Sequence, residues 1–172
     1  MSVSTPRRVA LASLLALSLA APMGSAWAAP KTYLGVDISY ANEMEDCGAV
    51  YRAGGETVEP YAFFKRSGAN LARIRIWNDP DWTPYSNLKD VKRSIAKAKK
   101  AGMEVLLDFH YSDDWADGDK QIAPKAWAKL STPDQAKALY AFTRDTLAEL
   151  DREGLMPDMV QVGNETNGEI VS

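Results

Sequence analysis

The stretch 103–110 reads MEVLLDFH, an almost unbroken apolar run that ends in polar residues. A strand with one wet face alternates apolar and polar residues, whereas a continuous apolar run is typical of a strand buried on both faces. Such strands belong to parallel sheets that are covered by helices. The stretch therefore predicts a central strand of a parallel α/β sheet.

Helix-like and strand-like stretches alternate on both sides of this strand. The order β-α-β-α-β-α-β implies parallel strands joined by right-handed crossovers, with the helices outside. Eight such βα units would need about 250 residues or more, the size of a (β/α)8 barrel, so we predict its N-terminal half, about four units. A doubly wound sheet is the competing architecture, but no Gly-x-Gly-x-x-Gly follows the first strand. Strands are predicted over 32–38, 70–77, 103–110 and 158–162, and helices over 58–65, 88–101 and 131–153.

The first 28 residues are predicted to be a secretory signal peptide rather than part of the fold. Arg7 and Arg8 precede an apolar run over 9–21, and Ala26-Trp27-Ala28 is a small-x-small cleavage site. The domain is therefore predicted over 29–172, in a secreted or periplasmic protein. The paired arginines leave the general secretory and twin-arginine routes open.

Composition places the chain among ordinary globular proteins. Its 172 residues are 46% hydrophobic and 25% charged, which allows one domain. The net charge of -3 offers no electrostatic footprint for nucleic acid. Cys47 is the single cysteine, so no intrachain disulfide can form. After cleavage of the signal peptide we expect no membrane segment.

Polar side chains follow each of the four predicted strands. Asp37, Trp77, His110 and Glu165 each lie at or just after the end of an apolar stretch. Because parallel strands bring their carboxyl ends to one edge of the sheet, these groups are expected to converge on one cleft.

The segments at the ends of the predicted strands also resemble those of a known family. The segments GVDIS (35–39), RIRIW (73–77), FHYSDDWAD (109–117) and VGNE (162–165) resemble, in order and spacing, those of glycoside hydrolase family 53, the endo-β-1,4-galactanases. The resemblance covers about Tyr33 to Glu165. The segment 109–117 is specific, whereas Asn-Glu is shared by a large clan of retaining (β/α)8 glycosidases. The resemblance implies a retaining hydrolase of β-1,4-galactan, a side chain of pectin.

The resemblance assigns chemistry to the end of the fourth strand. It implies that Glu165 is the general acid/base and that Asn164 binds the 2-hydroxyl of the sugar being cleaved. A competing interpretation is that Glu165 opens a helix, since Thr166-x-x-Glu169 fits a capping box. Asn164 could likewise be a turn residue.

The two arginines of the second strand share one of its faces. The resemblance implies that Arg75 holds the catalytic nucleophile as an anion, although a structural ion pair of Arg75 with Asp37 is an equal alternative. Arg73 lies deeper and is the weaker candidate.

Further substrate contacts are implied on the same rim. They are Asp37, His110 and two candidate sugar platforms, Trp77 and Trp115. A lone histidine is more often a hydrogen-bonded core residue than a ligand, and the resemblance implies that His110 is either a substrate contact or a support for one. The acidic stretch 113–119 does not fit a calcium loop, because Trp115 and Pro124 would occupy ligand positions. We expect no metal and no cofactor.

A glycosidase needs two carboxylates, and the resemblance places the second, the nucleophile, on a seventh strand that these residues do not include. We therefore expect the 172-residue chain to be inactive alone, and its open sheet edges to favour self-association. The alternatives are a non-catalytic carbohydrate-binding or remnant half-barrel, and a cellulase or mannanase of the same clan.

Overall fold

The computed structural model describes residue 1, residues 30–168 and residues 170 and 171. The predicted signal peptide falls almost entirely outside the described residues. The chain divides into two units, Met1–Lys31 and Thr32–Ser172, and the helices and strands of the described residues lie in the second. Its elements, in chain order, are β1 (Gly35–Asp37), α1 (Ala41–Asp46), β2 (Arg52–Ala53), β3 (Glu56–Thr57), α2 (Pro60–Arg66), β4 (Leu71–Ile76), α3 (Leu88–Lys100), β5 (Glu104–Phe109), α4 (Thr132–Arg152) and β6 (Met159–Val162).

The main sheet has four strands in the order β1-β4-β5-β6, all parallel. Each strand lies beside the next along the chain, which is the order of strands around a (β/α) barrel and not that of a doubly wound sheet. The predicted parallel half-barrel is therefore confirmed. Its register places Asp37 beside Arg73, Arg75 beside Asp108, and Asp108 beside Gln161.

Local sequence explains where the helices begin and end. The Asn87 side chain accepts a hydrogen bond from the N–H of Asp90 (3.1 Å) and caps α3. Gly102 and Gly154 follow α3 and α4 with φ of 75° and 69°, a left-handed conformation that glycine adopts without strain. The α4 bounds match the prediction, although the Ser131 side chain hydrogen-bonds to Asp134 and caps no N–H.

The core lies between the helices and one face of the sheet. Alternate residues of the two central strands enter it, so each strand sends every second side chain toward the helices. Burying each such aliphatic side chain is worth about 1.5–3 kcal/mol. The strand residues of this core are Ala72, Ile74, Ile76, Val105, Leu107 and Phe109, and Ile95 and Leu150 meet them from α3 and α4.

Three local features differ from the prediction. The first strand is only three residues long, shorter than the predicted 32–38. A short helix α1 and an antiparallel hairpin of β2 and β3 follow it, and neither was expected. Both are too short to show a hydrophobic period, so the sequence pattern could not indicate them. Within the described residues, no helix is long and apolar enough to cross a membrane.

Candidate active site

The sheet face that points away from the core carries polar side chains at its carboxyl end. Arg73 and Arg75 alternate with core residues of β4, and Asp108 alternates with core residues of β5. We call this surface the open face. It holds the strand-end residues that the sequence placed together.

Arg73 is the centre of the lower part of the open face. Its guanidinium donates to Asp37 and Asp108 (2.5 Å each) and to the side-chain oxygens of Asn164 (2.8 Å) and Gln161 (3.2 Å). These partners come from β1, β5, β6 and the residues after β6. One side chain therefore ties all four strands together.

This arrangement decides against the alternative in which Asp37 forms an ion pair with Arg75. Asp37 is bound by Arg73, because the register of β1 on β4 sets these two residues side by side. Burial raises the pKa of the Asp37 carboxyl, but hydrogen bonds from Ser39 and Arg73 outweigh burial and hold that pKa below its ordinary value. Asp37 is thus an anion bound within the fold, with about two-fifths of its side chain exposed.

Arg75 lies one step higher on the same face, in an aromatic environment. Its guanidinium carbon is 3.8 Å from the ring centre of Tyr40, 4.9 Å from that of Trp77 and 5.2 Å from that of Trp115. The residue is 3% exposed, and its Nε has no hydrogen-bond partner among the described residues. Burial lowers the pKa of Arg75, although an arginine stays charged at neutral pH. Arg75 is therefore a buried cation with a donor to spare.

The loop after β5 holds the residues that follow β6. The side-chain amide of Asn164 donates to the carbonyl of Ala116 (2.8 Å), and Gln121 donates to the carbonyls of Asn164 and Asp117 (2.7 Å each). Asn164 is 6% exposed. Its orientation is therefore fixed from both sides, by Arg73 at the oxygen and by Ala116 at the nitrogen.

Glu165 projects at the rim of the open face. Its side chain is exposed, and Oε2 accepts a hydrogen bond from the N–H of Gly118 (3.2 Å) in the loop after β5. Residues 163–168 form bends rather than a helix, and Glu169 of the proposed capping box lies outside the described residues. Glu165 has a φ of 49°, an unusual conformation for a residue other than glycine. The preceding turn needs Gly163, whose φ is 93° and where a Cβ would lie 2.6 Å from Thr166 Cγ2.

His110 is completely buried beneath this rim. Its Nδ1 accepts a hydrogen bond from the N–H of Ala116 (3.2 Å), and its Nε2 lies 2.9 Å from Oδ2 of Asp108. The Nε2 contact is short but bent, since it does not meet the geometry of a good hydrogen bond. The structure therefore places His110 behind the loop, in a supporting position.

The two tryptophans proposed as sugar platforms differ in accessibility. Trp115 is 37% exposed, and its indole N–H donates to Asp117 (2.9 Å), which fixes the ring. Trp77 is 3% exposed and packs against Trp82, with 5.3 Å between ring centres. Trp115 alone of the two offers a broad accessible face to a sugar.

The acidic residues after β5 organise the loop through hydrogen bonds. Asp113 accepts from the N–H groups of Asp79 (3.0 Å) and Lys125 (2.8 Å), Asp114 pairs with Lys120 (2.6 Å), and Asp117 accepts from the N–H of Asp119 (3.0 Å). Within the part of the chain that the structure describes, no three His, Cys, Asp or Glu side chains gather as metal ligands would.

Sequence reasoning missed several members of this site. Asp108 lies in one of the polar strand ends but is given no role by sequence reasoning, and neither is Gln121 or the N–H of Gly118. A role for Asp108 could have been inferred, because a charged residue inside the apolar run 103–110 must find a partner when buried. No sequence signal indicates a role for Gln121, because it lies in a loop without a periodic pattern.

A parallel sheet with outer helices, and with an amide and a carboxyl side by side at the carboxyl end of a strand, is the arrangement of (β/α)-barrel glycoside hydrolases. The sequence matches the profile of glycosyl hydrolase family 53 over residues 33–172. The chain belongs to this family.

Similar proteins include an arabinogalactan endo-β-1,4-galactanase of Cellvibrio japonicus, 51% identical over 96% of this chain and 44% of its own length. An endo-β-1,4-galactanase of Bacillus subtilis is 42% identical over 78% of this chain and 33% of its own length. The family 53 catalytic domain of Ignisphaera aggregans superposes with a TM-score of 0.73 at 40% identity, over 79% of this chain and 40% of that domain. A fungal β-1,4-galactanase structure gives 0.77 at 33% identity, over 81% of this chain and 42% of its own. The chain thus spans less than half the length of these relatives.

Proposed function

We propose that this chain carries the acid/base half of an endo-β-1,4-galactanase acting on arabinogalactan. The observation that carries the proposal is the pair Asn164 and Glu165 at the carboxyl end of β6, with Glu165 exposed on the rim and Asn164 fixed beneath it. The 51% identity to the Cellvibrio japonicus galactanase over nearly the whole chain supports the choice of substrate.

Glu165 acts as the general acid and then as the general base. Its protonated form gives a proton to the oxygen of the leaving sugar, and its anion later takes a proton from the attacking water. The N–H of Gly118 holds the carboxyl group in place at the rim. Asn164 hydrogen-bonds the sugar 2-hydroxyl once substrate is bound.

A second carboxylate must act as nucleophile if the reaction proceeds with retention. The two carboxylates of the lower open face, Asp37 and Asp108, are both bound to Arg73, so neither is free for this role. The nucleophile is a carboxylate that approaches Arg75, whose Nε has no partner among the described residues and which would hold it as an anion. In a retaining enzyme it would lie about 5–5.5 Å from the acid/base carboxyl.

Galactan in the pectin of plant cell walls is the substrate, and the protein meets it after export through the signal peptide predicted over residues 1–28. Secretion into the medium or the periplasm can be checked by sequencing the N-terminus of the exported protein. A start at Ala29 supports export with cleavage, and retention of Met1 in the cytoplasm contradicts it.

Sugar binding tests the choice of substrate directly on the 172-residue chain. We expect β-1,4-galactotetraose to bind, measured by titration calorimetry or by shifts in the protein NMR spectrum, and cellotetraose to bind far more weakly. Trp115→Ala should weaken binding about tenfold, the effect of losing an aromatic stacking face. Trp82→Ala is the control, because Trp82 is also exposed but packs at a tilt against Trp77.

Equal binding of both tetraoses, or none of either, would contradict the galactan proposal. Hydrolysis is a separate measurement. We expect no release of reducing ends from linear galactan by the 172-residue chain, so turnover that survives Glu165→Gln would show that the site is elsewhere.

A further inference from the structure

Five groups, Asn164 among them, form a closed ring of polar contacts. Arg73 donates to Asp108 and to the Asn164 oxygen, Asn164 donates to the carbonyl of Ala116, and the N–H of Ala116 donates to His110. The ring closes through the short but bent contact of His110 Nε2 with Asp108. The side-chain oxygen of Asn164 is therefore linked to Asp108 through Arg73, and its side-chain nitrogen is linked to the same carboxylate through Ala116 and His110.

We infer that Asp108 is a positioning residue for the reaction, acting through this ring to fix which way the Asn164 amide points. The inference rests on the proposed function, since it gives Asn164 its task beside Glu165. It adds a residue that touches neither the sugar nor the reacting atoms.

The chemistry of the ring allows one direction for each hydrogen bond. The N–H of Ala116 can only donate, so Nδ1 of His110 must be the unprotonated acceptor. In a neutral imidazole the proton then lies on Nε2. Nε2 lies 2.9 Å from Asp108 Oδ2, so the nearest acceptor for that proton is this carboxylate, although the contact is bent. A carboxylate can face His110 and Arg73 together, whereas an amide in its place would have to direct its one oxygen at both donors.

The Asp108 carboxylate is buried, so the loss of a hydrogen-bond partner there is costly. Asp108 and His110 have no exposed surface, and Oδ1 of Asp108 has no partner in the described part of the chain. Water is therefore kept from the carboxylate, and a group that loses its partner there gains no replacement. If the carboxylate is lost, His110 and Arg73 both lose their shared acceptor. The hydrogen bond from Arg73 to the Asn164 oxygen and the one from the Asn164 nitrogen to Ala116 should then both weaken.

The test uses the single histidine of the 172-residue chain, whose ring nitrogens give an unambiguous NMR signal. In the unmodified chain we expect the Nε2–H tautomer, and a slowly exchanging side-chain NH2 at Asn164. Asp108→Asn should shift the His110 ring nitrogen signals and speed exchange of the Asn164 side-chain amide about tenfold, the effect of losing one ordinary hydrogen bond.

Asp90→Asn is the matched control. Asp90 is also buried, but it accepts from Asn42 (2.8 Å) and from the N–H of Ser86 (2.9 Å), outside the ring. It should lower stability without moving the His110 or Asn164 signals. Equal shifts in both variants would overturn the inference, because they would show a general loss of packing.

Two further outcomes are decisive. If Asp108→Asn does not fold, the unmodified chain still tests the inference. A proton on Nδ1 of His110 would mean that the ring of polar contacts around Asn164 is broken at Ala116, and the inference would be wrong. If the ring responds as expected but galactotetraose does not bind, the positioning stands and the proposed function fails, so the two claims can be told apart.

Discussion

Arg73 and Arg75 lie two residues apart on one face of one strand, yet their surroundings differ in almost every respect. Arg73 donates to four side chains and keeps a quarter of its own side chain exposed. Arg75 is almost fully buried among aromatic rings, with an Nε that no described group accepts. All three guanidinium nitrogens of Arg73 donate to side chains, so we call the lower part of the open face, around Arg73, the saturated part. The upper part, around Arg75, is the incomplete part.

The contrast separates structure from chemistry on the open face. A buried cation without a full set of partners lowers stability, and folded proteins tolerate such cost mainly at functional sites. The saturated part around Arg73 fixes the strands, and the incomplete part around Arg75 is where an anion is expected. Each prediction below tests one side of this comparison.

Removing the arginines one at a time should give the largest difference. Arg73→Met leaves Asp108 as a buried carboxylate whose remaining contact is bent, and should lower the free energy of unfolding by about 3 kcal/mol or more. Arg75→Met replaces an underpartnered cation with an apolar chain of similar length, and should change it by less than about 1 kcal/mol. Urea unfolding followed by circular dichroism measures both. Equal losses would mean that the two parts of the face do not differ as described.

The turn at Gly163 tests the saturated part from the β6 side. Gly163→Ala sets a Cβ 2.6 Å from Thr166 at a φ of 93°, so Asn164 would be pushed from Arg73. We expect a loss of about 1–2 kcal/mol in unfolding free energy. Gly154→Ala is the control, because its φ is also positive but nothing lies within 4 Å of the added atom. A similar loss of unfolding free energy in both variants would mean that the positive φ alone accounts for it and that Asn164 is not displaced.

The main sheet could be predicted from the sequence because its order depends on local patterns. The apolar run of β5 and the one-sided apolar pattern of α3 each indicate their own structure, and alternation of such segments implies parallel strands. The convergence of His110, Trp115 and Glu165 at one rim then follows from topology alone.

Register and packing partners could not be predicted in the same way. A shift of strand pairing by two residues decides whether Asp37 meets Arg73 or Arg75, and one sequence does not show that shift. The hold of Gln121 on Asn164 depends on the path of a loop without regular structure. Such contacts join residues far apart in the chain and become visible only once the fold is known.

The aromatic environment of Arg75 should contribute a smaller effect. Tyr40→Leu removes the ring that lies 3.8 Å from its guanidinium carbon and should lower the free energy of unfolding by about 1 kcal/mol. Tyr140→Leu is the control, since that ring is exposed and lies 5.9 Å from Arg144. No loss in Tyr40→Leu would show that the rings do not stabilise the buried cation.

Acid pH should give the smallest effect, confined to the saturated part. Asp37 has a lowered pKa in the folded chain, so its contribution to stability is present above about pH 4, its ordinary value, and is lost as the pH falls through the folded pKa. Because the carboxylate is two-fifths exposed, we expect less than about 1 kcal/mol. Asp37→Asn should be less stable than the unmodified chain at pH 7, and that difference should shrink toward pH 2.

The arginines again provide the contrast in the acid titration. Arg75→Met should keep most of the pH dependence of the unmodified chain, because Asp37 accepts hydrogen bonds from Ser39 and Arg73, whereas Arg75 interacts with it only through charge. Ser39→Ala should flatten it, since hydrogen bonds from Ser39 are the strongest of the contacts that lower the pKa of Asp37. Urea unfolding at intervals from pH 7 to pH 2 measures all three chains. If Arg75→Met flattened the curve as much as Ser39→Ala, Asp37 would be coupled to both arginines, and the division of the open face into two independent parts would fail.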